Sequence, residues 1–200
     1  DYLAKISDLI NNGFQNIIPI LDNYRELDKL TESIDTTFNI GIRIASEEEP
    51  KFEFYTSRLG IGYKDIIPYY SQKIAEHPNA RLKMLHFFIN TGIKDTAYYW
   101  NELYKCLRVY ARLKKIAPEV DSLNIGGGFP IKTSLNFDYD YQYMVNEIVS
   151  QIKKFCEEEG VEEPNIYTEF GSFTVGESGG HLYKIISQKR QNDREKWNMI

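Results

Sequence analysis

Short apolar runs alternate along this chain with stretches whose apolar residues recur every three to four positions. The apolar runs predict five β-strands, at 17–21, 38–44, 83–90, 122–126 and 165–171. The helical spacing predicts helices at 2–11 and 65–76, a long helix spanning Trp100 to Ala111 and a further helix from Met144 to Phe155. Because a return to the same sheet edge needs a crossover of roughly a dozen residues or more, these strands are expected to pair in parallel.

This order of elements predicts an α/β fold but fits both a closed barrel and an open doubly wound sheet. Polar or glycine-rich residues follow several of the strands, which favours the barrel, since (β/α)₈ enzymes carry their active sites at the carboxyl ends of the strands. Five strands are too few to close an eight-stranded barrel. We therefore predict a partial parallel (β/α)₈ TIM-type barrel, roughly its middle and C-terminal βα units.

Alternation within two strands marks the residues that face a site. In the strand at 38–44 the apolar residues share one face, and Arg43 is the single cation on the other. Along the strand at 83–90, His86 and Phe88 share a face. Arg43 is thus a candidate site residue.

Composition narrows the classes of function. The chain has 200 residues, 42% of them hydrophobic, and a formal net charge of −5. Its basic residues are scattered, so neither nucleic acid nor an anionic membrane is an expected partner. Cys106 and Cys156 show no metal-ligand spacing, which suits a reducing cytoplasm. We expect a cytoplasmic protein that acts on a small molecule.

The run Asn124-Ile-Gly-Gly-Gly-Phe-Pro130 has two interpretations. Three consecutive glycines after a strand can turn their N–H groups toward an anion, which indicates a phosphate site. A tight connection out of the strand also requires glycine. The glycine run by itself does not distinguish between these two interpretations.

Glu169 lies near the end of the apolar run at 165–171, with Gly171 behind it. A carboxylate buried at such a position needs a partner. It is either a structural glutamate paired with a neighbouring arginine or a loop, or an acid that acts on a ligand. Together with the glycine run, it suggests a phosphorylated heterocycle held from two sides.

The order of motifs resembles that of the barrel-fold, pyridoxal-phosphate-dependent amino acid decarboxylases, the group that contains ornithine, diaminopimelate and biosynthetic arginine decarboxylases. The matching segments are Gly41-Ile-Arg43, Ser57-Arg-Leu-Gly60, Leu85-His-Phe-Phe-Ile-Asn-Thr-Gly-Ile93, Gly126-Gly-Gly-Phe129 and Glu169-Phe-Gly-Ser172. The stretch from Leu85 to Asp95 and the surroundings of the glycine run look most like a spermidine-forming arginine decarboxylase.

This resemblance implies roles for particular residues. Glu169 is the implied catalytic residue, which pairs with the pyridine nitrogen of pyridoxal phosphate and keeps it protonated. The remaining implied cofactor-binding residues are Gly126, Gly127, Gly128, Gly171, Ser172, Phe88, Thr91 and Arg43. The three glycines would hold the phosphate, and Thr91 matches a family serine of the phosphate region.

Two positions depart from the family pattern. Phe88 stands where the family has the histidine that stacks on the cofactor ring, and His86 is either a packed histidine or its replacement. Ser172 stands where the family has a phosphate-binding arginine. A second acid, Glu177, lies past the strand and fits a loop, so Glu169 is the preferred partner of the ring.

No lysine lies in the interior of a predicted apolar strand, where a Schiff-base lysine is expected; Lys83 only begins the strand at 83–90. We expect that lysine before Asp1, and a β-rich domain after Ile200 toward which residues from about 172 to 200 lead. Residues 1–200 are then part of a pyridoxal-phosphate-binding barrel domain and inactive alone. The resemblance further implies a homo-oligomer with shared active sites, and Mg²⁺ in the full-length enzyme.

The implied activity is that of a carboxy-lyase that converts arginine to agmatine and CO₂ in polyamine biosynthesis. Ornithine, lysine and diaminopimelate stay open as substrates, since no residue defines the side-chain pocket. A regulatory protein that lost the cofactor is a further alternative, which the changes at Phe88 and Ser172 would suit.

Overall fold

Strands and helices alternate through most of the chain. The computed structural model describes residues 2–46, 58–89, 92–132, 137–192 and 194–200. Its elements are α1 (Tyr2–Asn11), β1 (Ile20–Leu21), α2 (Glu26–Thr31), β2 (Phe38–Ala45), β3 (Ile61–Gly62), α3 (Ile66–Tyr69), β4 (Ala80–His86), α4 (Ala97–Lys114), β5 (Ser122–Asn124), α5 (Tyr141–Glu159), β6 (Asn165–Tyr167), α6 (Gly171–Val175), β7 (Ser187–Gln191) and β8 (Glu195–Met199). A π-helical segment, Tyr70–Ile74, continues α3.

The first six strands form one sheet in which every pairing is parallel. Their order is β1-β2-β4-β5-β6, and β3 pairs with the end of β2. Apart from β3, neighbours in the sheet follow the order of the chain, as in a βα barrel; a doubly wound sheet reverses its strand order at a switch point. The parallel α/β arrangement predicted from the hydrophobic pattern is confirmed.

Two rows of side chains cross β2, β4, β5 and β6 in register. The polar row consists of Arg43, His86, Asn124 and Tyr167. The adjacent apolar row consists of Ile42, Leu85, Leu123 and Ile166. Since successive side chains of a strand point to opposite faces, the two rows lie on opposite faces of the sheet.

The hydrophobic core covers the apolar face. Leu85 and Leu123 are fully buried and belong to one cluster with Leu103 and Leu107 of α4 and Ile148 of α5. α5 ends at Gly160, whose φ of 64° is left-handed, the usual role of glycine at a helix end. No helix of the described residues is both long and apolar enough to cross a membrane.

All five predicted strands differ from the structure at one boundary or both, and the differences at β4 and β6 bear on the site. β4 begins at Ala80 and ends at His86, where a strand at 83–90 was expected. The fifth predicted strand ends at Tyr167, and the Gly171 N–H donates to the Glu169 carbonyl at 2.9 Å where the chain turns into α6. Glu169 and Gly171 therefore do not continue the strand face of Tyr167.

An antiparallel pair of strands near the end of the chain was not predicted. β7 and β8 form a two-stranded sheet of their own, in which Ser187 pairs with Met199. All their residues are exposed, so neither strand has the buried apolar face that reveals a strand in sequence. That residues from about 172 lead toward a further domain stays a prediction.

Candidate functional site

Polar side chains meet where the parallel strands end. Arg43, His86 and Asn124 stand side by side on β2, β4 and β5, and Glu169 follows β6 by two residues. Carboxyl ends of parallel strands meet at one edge of a sheet, where ligands bind in barrel proteins. The structure thus brings Arg43, Glu169 and the glycine run together at this edge.

Asn124 makes two hydrogen bonds that join the glycine run to Glu169. Its Oδ1 accepts from the Gly126 N–H at 2.8 Å, and its Nδ2 donates to Glu169 Oε1 at 2.9 Å. The Glu169 N–H in turn donates to the Gly126 carbonyl at 2.8 Å. Sequence reasoning treated Asn124 only as the end of a strand. The available signal was a polar residue between an apolar strand and the first glycine.

Glu169 is more exposed than the sequence suggested. Its side chain is 51% exposed, so the expectation of a buried carboxylate is wrong. The reason is that β6 is the edge strand of the sheet, and all three of its residues are exposed. Among the described residues Oε2 of Glu169 accepts no hydrogen bond, which leaves this oxygen able to receive a donor from a ligand.

His86 is a buried neighbour of Glu169. The residue is only 7% exposed, and its Nε2 lies 3.5 Å from Glu169 Oε1. Neither ring nitrogen has a hydrogen-bond partner in the part of the chain that the structure describes. Burial lowers the pKa of His86, and Arg43 acts in the same direction, against the opposing carboxylates of Glu169 and Asp22. The imidazole is therefore held neutral.

The glycine run is packed tightly against its neighbours. Gly126 has a φ of 68° and Gly128 a φ of 106°, both in the region that favours glycine. A Cβ on Gly126 would lie 2.7 Å from the Phe87 carbonyl oxygen, and one on Gly128 would lie 2.8 Å from the Gly92 Cα. A Cβ on Gly127 would collide with the Glu169 carbonyl oxygen. Close backbone packing alone therefore requires all three glycines.

The run also has donors for an anion. The Gly126 N–H is engaged by Asn124, whereas within the described ranges the N–H groups of Gly127 and Gly128 donate no hydrogen bond. Two free backbone N–H groups in a turn, one of them at a left-handed residue, are a common anion-binding arrangement. The residues present thus fit a phosphate group, and both interpretations of the glycine run remain compatible.

Arg43 lies between an acid and an aromatic ring. Its guanidinium carbon is 5.9 Å from the centroid of the Phe88 ring, and its Nη1 is 3.9 Å from Asp22 Oδ1. The Ser46 hydroxyl donates to the Phe88 carbonyl at 3.0 Å and so ties the segment after β4 to the end of β2. Phe88, which replaces the stacking histidine of the resemblance, is thereby brought to the same edge as Arg43.

For the remaining residues singled out in the sequence, the structure shows no side-chain hydrogen bond or ion pair with Asn124, Glu169 or Arg43 among the described residues. Gly171 and Ser172 are exposed in the first turn of α6, where the Ser172 carbonyl accepts from the Gly176 N–H at 2.7 Å. Thr91 lies outside the described residues. Glu177, the second acid of the sequence, is exposed in the turn after α6.

Aromatic packing fixes the path from the glycine run to α6. The rings of Phe129 and Phe170 stack with centroids 4.2 Å apart, and Phe129 also contacts Tyr139, Tyr141 and Phe173. Phe170 follows Glu169 directly, so this packing fixes the backbone on one side of Glu169. The described residues contain no group of three or more His, Cys, Asp or Glu side chains that could hold a metal ion, and Mg²⁺ stays a prediction.

A parallel βα sheet whose carboxyl edge carries an acid and a glycine turn with free N–H groups places the chain in the class of ligand-binding barrel domains. Residues 4–176 match the model of the family described as pyridoxal-dependent decarboxylase, pyridoxal binding domain. The chain belongs to that family, as its motifs indicated.

Curated relatives agree with this assignment, and solved structures agree with the fold. The biosynthetic arginine decarboxylase of Geotalea uraniireducens is 32% identical over 118 residues, which are 56% of this chain and 19% of that protein. The biosynthetic arginine decarboxylase of Campylobacter jejuni superposes with a TM-score of 0.65 at 22% identity, over 86% of this chain and 29% of that one. Diaminopimelate decarboxylase of M. jannaschii gives a TM-score of 0.67 at 23% identity, over 89% and 43%.

These comparisons confirm the predicted partial barrel. The chain spans between about a fifth and a third of the curated relatives that it matches.

Proposed function

We propose that the protein carrying this chain is a pyridoxal-phosphate-dependent amino acid decarboxylase and that its substrate is arginine. The observation that carries the proposal is the hydrogen-bonded unit of Gly126, Asn124 and Glu169 at the carboxyl edge of a family barrel. It places two free N–H donors and a carboxylate, each suited to one end of the cofactor, on adjacent strand ends.

In this proposal the cofactor phosphate is bound by the N–H groups of Gly127 and Gly128. Gly126 shapes the turn, since its own N–H is engaged by Asn124. Arg43 supplies a cation at the same edge, and Thr91, Gly171 and Ser172 complete the surroundings. The ring of Phe88 offers an apolar face to the cofactor without donating a hydrogen bond.

Glu169 is assigned to the pyridine nitrogen. Its Oε1 is held by Asn124 while its Oε2 is free among the described residues, so the carboxylate can accept a hydrogen bond from a protonated ring nitrogen. The negative charge favours the protonated form of that nitrogen. When bound, pyridoxal phosphate supplies an electron sink for the charge left on the α-carbon as CO₂ departs.

Arginine is the proposed substrate because the curated relatives are named biosynthetic arginine decarboxylases. With arginine as the substrate the products would be agmatine and CO₂, and the proposed pathway is polyamine biosynthesis. Diaminopimelate, lysine and ornithine are the alternative substrates, and solved neighbours named diaminopimelate decarboxylase and lysine decarboxylase favour keeping the first two. The side chains at Phe88 and Ser172 favour, as a second candidate, a regulatory homologue without cofactor.

Further parts of the proposal concern the whole protein. We expect a cytoplasmic homo-oligomer with shared active sites, and residues 1–200 to be inactive without the Schiff-base lysine. Cys106 and Cys156 are both buried as free thiols, and burial raises the pKa of each. Unreactive thiols of this kind suit a reducing compartment.

The full-length protein tests the proposal directly. Pyridoxal phosphate is titrated into the apo protein with its visible absorption as the readout, and CO₂ release is then measured from arginine, ornithine, lysine and diaminopimelate. We expect saturable binding and the fastest release from arginine. Fastest release from another amino acid would revise the substrate alone. Absence of both binding and release would leave the regulatory homologue.

A further inference from the structure

Asn124 occupies a central place in the candidate site. It stands on β5 between His86 of β4 and the edge strand β6 in the polar row. Its two side-chain hydrogen bonds point to different parts of the site, the Gly126 N–H at 2.8 Å and Glu169 Oε1 at 2.9 Å. A side-chain amide carries an acceptor oxygen and a donor NH₂ group, so it can accept from one and donate to the other at once.

Glu169 depends on this contact more than a buried residue would. Its side chain is half exposed and starts beyond the end of β6, so the sheet itself does not fix its rotamer. His86 lies 3.5 Å away, but neither of its ring nitrogens makes a hydrogen bond within the described residues. Within the described part of the chain, the hydrogen bond from the Asn124 amide is therefore the contact that orients the Glu169 carboxylate.

We propose that Asn124 is a positioning residue that holds the glycine run and Glu169 at a fixed separation, so that both ends of one cofactor molecule are bound together. This inference rests on the proposed function. Two binding groups held at a matched distance act on a bifunctional ligand more strongly than two independent groups, because the second contact costs little further entropy.

The first test is a double-mutant cycle in the full-length apo protein. The dissociation constant of pyridoxal phosphate is measured for wild type, Asn124→Leu, Glu169→Ala and the double variant. We expect Asn124→Leu to weaken binding by about ten-fold in the wild-type background, as for the loss of a hydrogen bond to a charged group, and by much less in the Glu169→Ala background. Additive effects in the cycle would overturn the positioning role.

The second test compares pyridoxal phosphate with pyridoxal, which lacks the phosphate. Wild type should bind pyridoxal phosphate more tightly than pyridoxal. Asn124→Leu should reduce this ratio of dissociation constants, because the glycine run is no longer aligned with Glu169. An unchanged ratio of the two dissociation constants would contradict the inference. Loss of packing by itself predicts a similar weakening for both ligands.

Controls separate these outcomes from misfolding and from failure of the proposed function. Asn146→Leu changes an exposed asparagine of α5 and should leave both dissociation constants within about twofold. Asn124→Ala repeats the cycle if Asn124→Leu does not fold, as judged by circular dichroism. If the wild-type protein binds no pyridoxal phosphate, both the proposed function and the positioning role are refuted. If it binds the cofactor and the effects of the two substitutions are additive, only the positioning role is refuted.

Discussion

His86 and Glu169 lie 3.5 Å apart, Nε2 to Oε1, although one is almost fully buried and the other half exposed. An ion pair would raise the pKa of the histidine, yet burial prevails and lowers it, with Arg43 acting in the same direction and Glu169 and Asp22 against it. The acid thus faces a neutral imidazole, and its charge stays available for a ligand.

Replacing His86 should change the pH dependence of stability. A lowered pKa in the folded state means that the neutral histidine stabilises the fold above its ordinary pKa of about 6.5. This stability is lost as pH falls below that value through the lower folded pKa. We expect His86→Phe to lose less stability than wild type between about pH 7 and pH 5, as measured by urea unfolding. His181→Phe, at an exposed histidine, should follow wild type; parallel curves for all three proteins would refute the assignment.

Glu169 and Glu177 form a matched pair for the catalytic assignment. Glu169→Gln keeps the size of the side chain but removes the charge that favours a protonated ring nitrogen, so CO₂ release should fall by roughly 10²-fold or more. Glu177→Gln, at the exposed acid after α6, should leave turnover near wild type. Steady-state CO₂ release measures both variants. A larger loss at Glu177 would transfer the role to that residue.

Gly127 tests how tightly the glycine run is packed. Its φ is not left-handed, so Gly127→Ala probes only the collision of a Cβ with the Glu169 carbonyl oxygen. We expect a loss of about 1–3 kcal/mol in the free energy of unfolding, typical of overpacking. Gly180→Ala is the control, because a Cβ there meets no atom within 4 Å. Equal free energies of unfolding for the two variants would mean that the backbone of the glycine run shifts to accommodate a Cβ at little cost.

Arg43 is expected to contribute to cofactor affinity through its charge. Arg43→Met retains most of the apolar stem beside Phe88 but removes the cation, so the dissociation constant of pyridoxal phosphate should rise about ten-fold. Arg25→Met, at an exposed arginine, should leave it unchanged. If Arg43→Met weakens the binding of pyridoxal, which has no phosphate, as much as that of pyridoxal phosphate, Arg43 does not act on the phosphate.

The sequence predicted the alternation of strands and helices because each element buries an apolar face with a distinct period. Arg43, His86 and Glu169 were recognised for the same reason, as polar residues in or beside apolar runs. The exposure of Glu169 was not predictable, since it follows from the position of β6 at the sheet edge. Strand order is a property of tertiary structure that local patterns do not encode.

The role of Asn124 was missed for a related reason. Its two hydrogen bonds reach a residue two positions away and one 45 positions away, and the second depends on the register between β5 and β6. The two interpretations of the glycine run could not be separated from sequence either. Both demand the same residues, one for close backbone contact and the other for free N–H donors.

The polar row also depends on an irregularity between β2 and β4. The pairing passes from Ile40 opposite Leu82 to Gly41 opposite Met84, so β4 carries one extra residue, Lys83, at this point. Side chains alternate along a strand, so a regular pairing without this irregularity, with Lys83 opposite Gly41, would place Leu85 opposite Arg43 and turn His86 toward the helices. The strand would survive such a shift of register, but the site would lose its histidine to the opposite side of the sheet.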